Sequence, residues 1–260
     1  MPDLLFRFRS LNGESKKYVK KSVIDSELYF AAPADLNDPY DCQIALDTSG
    51  TDLEWRTHLK NSLKHVAVRA GYRTSFMERH KVAKRLIDER RHVRIDGTQF
   101  SKVTNSFGIV CFGGLLDNPL MWSHYADNHR GICLLYMPER DKSGLLHAHH
   151  QVKYSNEYPK IRLVDLPRIG HSSIESLLLT KSVDWKYEFE YRLIRPNGAK
   201  STFGYDASAL VGIILGARIS KSDEEEVIQW ARDHPTKPLI HRAELQLGKF
   251  GIHINTSKSI

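Results

Sequence analysis

The sequence predicts an α+β fold: mixed, mostly antiparallel sheets broken by a helical insertion. Three observations predict it. Short apolar runs of strand length, Leu28–Ala31, Phe107–Phe112, Ile132–Tyr136 and Leu210–Gly216, recur along the chain between turn residues. Trp185–Ile194 alternates strictly, with Tyr187, Phe189, Tyr191 and Leu193 on one side and Glu188, Glu190 and Arg192 on the other. Helical spacing dominates only from about 48 to 100, where Trp55, Leu59, Leu63, Val66, Ala67 and Ala70 fall on one face.

Leu4–Arg9 reads as a first strand with Phe6 and Phe8 on one side and Leu5, Arg7 and Arg9 on the other. Ser15–Asp25 reads as a short helix carrying Tyr18, Val19 and Val23 inward. Leu28–Ala31 then runs into a turn, because Asn37-Asp38-Pro39 combines two side chains that bond local backbone with a proline that disfavours helix before it. The helix from Asp52 to Ala70 stops at Gly71, and Ser75 with Glu78 forms a capping box that opens a second helix to about Arg91.

Asn118 followed by Pro119 starts the short helix Leu120–Asp127. Gly131 leads into Ile132–Tyr136, and Val152–Tyr154 reads as an edge strand. Ser172–Thr180 reads as a helix that delivers the chain to Lys181. A surface helix follows over Asp223–Arg232, opened by Ser222 or Asp223, and Leu239–Leu247 with Gly251–Ile254 reads as a hairpin. With no repeat, linker or low-complexity stretch, residues 1–260 are expected to form one domain with the insertion inside it.

Composition bounds function. Hydrophobic residues are 41% and charged residues 27%, which is ordinary for a globular protein. No apolar run approaches the roughly 20 residues needed to span a bilayer, and the N-terminus lacks the apolar core of a signal peptide. Cys42, Cys111 and Cys133 are odd in number and far apart, the pattern of reduced thiols in a cytoplasmic protein. The net charge of +7 favours polyanionic partners, nucleic acid first, and much of it lies between Arg56 and Arg94. The same stretch also reads as a pair of helices with a solvated basic face.

Chemistry-bearing residues gather in four stretches: Arg7 with Arg9, the Asn37–Asp41 turn, the Trp122–Tyr125 helix, and Lys181 through Trp185, Glu188, Glu190 and Arg192. Carboxylates two apart on a strand lie roughly 7 Å apart, close enough to share a ligand. The alternation alone equally fits an exposed edge kept soluble by charge. His124 fits a structural hydrogen bond as well as a catalytic role, and Asn37 and Asp38 fit a turn lock as well as a ligand site. His147-Ala-His-His150 has no adjacent carboxylate or Cys-x-x-Cys, so no metal is expected. Gly113-Gly114 lacks the lysine and further glycines of a phosphate loop, and Ser123 and His124 point about 100° apart on a helix.

The segments Leu5–Arg9, Leu28–Asp41, Met121–Gly131 and Trp185–Arg192 together resemble the prokaryotic family known as domain of unknown function 2971. A second resemblance is to ADP-ribosyltransferase-type folds of the arginine-plus-glutamate class: a basic first strand, a short helix, a strand opening into a loop, and a later strand bearing Glu-x-Glu. It implies that Arg7 or Arg9 binds the phosphates or ribose of NAD, that Glu190 holds the nicotinamide ribose, and that Glu188 orients the nucleophile. The middle Ser-Thr-Ser strand motif of that class is not found in this chain.

Those resemblances add up to an ADP-ribosyltransferase-like enzyme that takes NAD as substrate and modifies nucleic acid or protein, as a toxin or phage-defence effector would. Glu188, Glu190 and His124 are its expected catalytic residues. Arg7, Arg9, Asn37, Asp38, Trp122, Tyr125, Lys181, Trp185 and Arg192 are expected to bind the substrate, aromatic faces stacking on nicotinamide or a base. The chemistry is shared with a nucleic-acid glycosylase or nuclease that needs no NAD, because both reactions build positive charge on a sugar. A non-enzymatic nucleic-acid or nucleotide-binding module is the third alternative.

Overall fold

The computed structural model describes residues 2–89, 104–168, 174–175 and 177–255. It is an α+β fold with mixed, open sheets. Its largest sheet has the order β1 (Leu5–Arg9), β5 (Ile132–Tyr136), β12 (Leu210–Leu215), β13 (Leu239–Leu245), β14 (Ile252–Asn255), all neighbours antiparallel except the parallel pair β12–β13. This sheet separates two apolar layers. On one face Leu5, Ile132, Leu134, Tyr136 and Ile213 pack with Val19 and Val23 of α1 (Gly13–Ile24) and with Val227 and Trp230 of α5 (Lys221–Asp233). On the other, Phe8, Cys133, Leu135 and Ile214 pack with Met121, Trp122 and Ala126 on and beside α4 (Pro119–Tyr125). The apolar runs are hydrophobic on both sides because both faces of these strands are covered.

A second sheet, β4 (Gly108–Phe112), β10 (Tyr191–Arg195) and β6 (His149–Gln151), is antiparallel throughout. Isolated bridges tie β4 to its neighbours: Phe6 pairs Gly113, and Ala31, just past β2 (Glu27–Phe30), pairs Ile109. Smaller two-stranded ladders join β2 to β11 (Ser201–Gly204), β3 (Ala45–Asp47) to β8 (Lys160–Arg162), and β7 (Lys153–Ser155) to β9 (Thr180–Ser182). The last pairing sets Tyr154 opposite Lys181.

The expected helices form with small shifts in boundary. α2 (Asp52–Arg69) ends where Gly71 takes φ +76°, a conformation that costs a side-chain-bearing residue, and Tyr72 N–H closes the end on Ala67 O at 2.8 Å. α3 (Phe76–Asp88) opens on the expected Ser75/Glu78 capping box with both hydrogen bonds made. Trp55, Leu59, Ala83 and Ile87 bury one face of the pair against Leu163 and Val164. Asn118 caps α4 and Pro119 occupies its first turn, as expected. α5 is capped by Ser220 rather than by Ser222 or Asp223, and the terminal hairpin forms. The expected edge strand Val152–Tyr154 forms from Lys153 on as β7, with Val152 between β6 and β7. The helix expected over Ser172–Thr180 lies partly outside the described residues, although Leu178 N–H bonds Ile174 O at 3.0 Å. Residues 90–100 of the insertion also lie outside them.

One correction concerns Trp185–Ile194. It is not a continuous strand: Val183–Glu188 is a 3-10 turn, Phe189 takes φ 46°, and extended structure begins at Tyr191. The expected burial is also inverted. Glu188, Glu190 and Arg192 are 2%, 2% and 0% exposed, while Phe189 is 43% exposed. Leu193 still packs into the main core, so β10, central in its sheet, is covered on both sides, one by hydrocarbon and one by ion pairs. Alternation cannot tell that arrangement from a solvated charged face.

Gly131 is where chain approach is tightest: a Cβ there would lie 2.1 Å from Arg9 O and 3.0 Å from Ala126 Cα. Gly131→Ala is expected to cost about 1–3 kcal/mol by overpacking between two backbones. Thermal melts should show a fall of roughly 2–10 °C in Tm; an unchanged Tm would contradict this packing.

Candidate functional site

Five ionisable side chains from three parts of the chain meet beneath the second sheet. Arg192 is fully buried on β10, and its fork grips Glu190, with Nε 2.7 Å from Oε1 and Nη2 3.1 Å from Oε2. The same Nη2 donates to Asp41 Oδ2 at 2.6 Å, and Nη1 donates to Leu178 O at 2.7 Å. Lys181 of β9 donates to Glu188 Oε2 at 2.5 Å and to Glu190 Oε2 at 2.9 Å, and its ammonium lies 5.0 Å from the Trp185 ring centre. Tyr125, closing α4, donates its hydroxyl to Glu188 Oε1 at 2.5 Å and receives Asn37 Nδ2 at 3.3 Å.

Local structure explains the placement. The left-handed Phe189 ends the 3-10 turn and lets Glu188 and Glu190 both reach Lys181. Gly114 makes room for that turn: a Cβ there would lie 2.6 Å from Phe189 O, and the Gly114 N–H bonds Glu188 O at 2.9 Å. The Asn37–Asp41 turn is locked by Asp38, whose Oδ1 accepts the Tyr40 N–H at 2.9 Å. Asp41 holds its own turn by accepting the Cys42 N–H at 2.7 Å.

Three carboxyl groups face two cations, and their environments diverge. Burial would raise Glu190, but Arg192 and Lys181 outweigh it and hold it down at about 2. Burial pushes Glu188 above the usual carboxylate range; Lys181 opposes this and the neighbouring Glu190 charge adds to it. Burial would lower the Lys181 ammonium, but Glu190 and Glu188 hold it above its ordinary value. Two adjacent carboxyls are thus driven apart, Glu190 downward and Glu188 upward. Burial lifts the Cys42 thiol to about 12 and Cys111 well above its ordinary range, so neither is a ready thiolate.

Glu188 and Glu190 border a cavity of about 430 Å³, within the size range of small-molecule sites. The same cavity is also lined by Arg7 and Arg9, with Tyr18, Tyr29 and Ser15. Arg7 is 8% exposed and, among the described residues, pairs with no carboxylate; burial lowers its pKa. Arg9 donates to Ser15 Oγ at 3.3 Å, and burial together with repulsion from Arg7 lowers it to about 10. A buried and a half-buried guanidinium without a carboxylate partner among the described residues make a place for an anion.

Of the residues singled out from sequence, Arg7, Arg9, Asn37, Tyr125, Lys181, Glu188 and Glu190 border this cavity. The others do not. Asp38 is a turn lock, Trp122 is fully buried and donates to Leu116 O at 2.9 Å, and Arg192 lies behind Glu190. His124 is exposed and contacts Trp185 and Tyr187 at centroid distances of 6.2 and 6.4 Å. Trp185 faces a neighbouring cavity. Asp41 and the Tyr18–Tyr29 pair were not picked out, and no local spacing marks them. Among the described residues no cluster of His, Cys, Asp or Glu is placed to hold a metal ion, and no helix is long and apolar enough to cross a membrane. His149 and His150 of the histidine run lie on β6, where His149 Nδ1 sits 2.7 Å from Leu146 O.

Residues 121–193 match the family described as protein of unknown function (DUF2971). The matched DUF2971 segment runs from α4 to β10 and includes Tyr125, Lys181, Glu188, Glu190 and Arg192, while Arg7, Arg9, Asn37 and Asp41 lie outside it. No curated protein and no solved structure matches the chain, so the resemblance to ADP-ribosyltransferase folds finds no support there.

Arg192→Leu should leave Glu190 and Asp41 buried with one cation among three acids. A loss of about 3–5 kcal/mol is expected, measured by urea unfolding at neutral pH. Because Glu190 is held below its ordinary 4.5, its contribution is present above that value and fades as pH falls toward about 2. Unfolding midpoints measured over that window should fall more steeply in the wild type than in Glu190→Gln; parallel curves would refute the pairing.

Proposed function

We propose that the cavity between Arg7 and Glu188 binds a phosphate-bearing nucleotide, NAD, and that the protein transfers its ADP-ribosyl group to an acceptor by cleaving the N-glycosidic bond. One observation carries the reading: guanidiniums that have no carboxylate partner among the described residues and a carboxyl of raised pKa border a single ligand-sized cavity. The residues fit the substrate. Arg7 and Arg9 offer fixed donors to a pyrophosphate, and Ser15 adds a hydroxyl at the same wall. Tyr18 and Tyr29, with ring centres 4.4 Å apart, supply an aromatic surface.

NAD supplies a pyridinium leaving group, which takes the electron pair of the C1′–N bond as neutral nicotinamide. The chain's residues manage charge and protons. Positive charge that develops on the ribose is stabilised by the fixed anion at Glu190 and its field. Glu188 accepts the proton that the acceptor N–H or O–H loses as its bond to C1′ forms; its raised pKa brings a carboxyl toward the range where general-base work is efficient. Tyr125 and Lys181 orient Glu188, one on each oxygen. Roles therefore differ from those the ADP-ribosyltransferase resemblance implies: Glu188 moves the proton, and Glu190 is the anchored charge. The setting remains that of a nucleotide-consuming effector, such as a toxin or phage-defence protein.

Incubation with NAD and single-stranded oligonucleotides should release nicotinamide, read by chromatography. Glu188→Gln should lower that rate about 10²–10⁴-fold, while Lys181 keeps its ion pair with Glu190 and the protein stays folded. Arg7→Ala should raise KM for NAD more than it lowers kcat. Free base released from DNA or RNA without NAD would instead identify a glycosylase. Undiminished turnover in Glu188→Gln would overturn the assignment.

A further inference from the structure

We infer that a second cavity, adjoining the first through Lys181, is a docking site for an unpaired nucleobase of a single-stranded nucleic acid. Its role as the acceptor site rests on the glycosyl-transfer reading, whereas its ligand is read from its own walls. The cavity holds about 960 Å³, and Lys181 borders both spaces. The wall beyond Lys181 is aromatic: Tyr40, Tyr158, Trp185 and Tyr187 all border it. Tyr40 and Tyr158 are 69% and 44% exposed, large apolar faces that the fold leaves uncovered. Trp185 and Tyr187 lie 6.0 Å apart, backed by His124.

Most charged groups around this cavity already have hydrogen-bond partners. Lys160 Nζ is 3.0 Å from Glu157, Asp184 accepts Ser182 Oγ at 2.9 Å, and Asp38 is committed to the Tyr40 N–H. What remains for a ligand is stacking surface, with polar groups such as Asn156 and the tyrosine hydroxyls at the rim. A flat, uncharged, hydrogen-bonding ring meets that description. A cationic peptide side chain is disfavoured because the whole protein carries +7, which repels a basic partner and attracts a polyanion. Bases within a duplex hide their faces, so the partner is single-stranded or presents a flipped nucleotide. A base seated here would stand on the far side of Lys181 from the NAD cavity, close to Glu188, which lies 2.5 Å from that lysine. The pair of cavities thus separates donor from acceptor.

Tryptophan fluorescence reads this site directly. Of the four tryptophans, Trp55, Trp122 and Trp230 are 2%, 0% and 3% exposed, while Trp185 is partly exposed at the cavity. Titration with a short single-stranded oligonucleotide should quench fluorescence saturably, and Trp185→Phe should remove the change while labelled-oligonucleotide anisotropy still reports binding. Tyr40→Ala and Tyr158→Ala, both at exposed positions, should each weaken binding by roughly 5- to 150-fold, the loss of one stacking partner. Equal binding of a duplex of the same sequence would overturn the proposal. So would quenching by an arginine-rich peptide but not by the oligonucleotide, or full affinity in both tyrosine variants. Tyrosine-dependent oligonucleotide binding without NAD cleavage would keep the base site and remove only the transfer reading.

Discussion

The buried ion cluster of Asp41, Lys181, Glu188, Glu190 and Arg192 is the constraint around which the site is arranged. Each charge taken from water costs several kcal/mol unless paired, so such a cluster survives only where geometry satisfies nearly every donor. Arg192 meets that condition, with donors directed to Glu190, Asp41 and the Leu178 carbonyl. In doing so it fixes the Asn37–Asp41 turn, the approach to β9 and the start of β10 relative to one another. Three acids facing two bases must share cations, and Glu188, also held by Tyr125, shares Lys181 with Glu190.

That imbalance is what turns a structural cluster into a chemical one. Glu190 is locked as an anion by two cations, whereas burial and the Glu190 charge raise Glu188 above its ordinary value. Across the cavity the imbalance has the opposite sign, because Arg7 and Arg9 lack carboxylate partners among the described residues. A ligand that carries anions at one end and a reacting sugar at the other relieves both walls. Lys181, shared by two cavities, connects this chemistry to the aromatic wall of Tyr40, Tyr158 and Trp185.

Much of the fold was legible because its signals are local. The Ser75/Glu78 box, the Asn118-Pro119 start of α4 and the apolar runs of β5 and β12 depend on neighbouring residues and appear where expected. The Arg7/Arg9 wall and the Glu188/Glu190 wall were also readable as candidates, since unusual charge sat on strand-like sequence. What was not legible depends on distant partners. Alternation in Trp185–Ile194 pointed to a strand with its charges outward, yet Asp41, some 150 positions away, supplies the pairing that lets Arg192 be fully buried. Trp122 and Arg192 read as ligand contacts because sequence cannot distinguish a side chain facing a cavity from one packed behind it. Asp41 was read only as the end of the Asn37–Asp41 turn and was not named as a site residue beside Asn37 and Asp38.

The protonation state of Glu188 tests this account most directly. Infrared difference spectra recorded across pH should show a carboxyl that titrates above the ordinary glutamate range in the free protein and whose bands disappear in Glu188→Gln. If the Glu188 bands titrate at or below the ordinary range, or survive in Glu188→Gln, the cluster is a balanced structural ion network and the proton-accepting role of Glu188 is refuted.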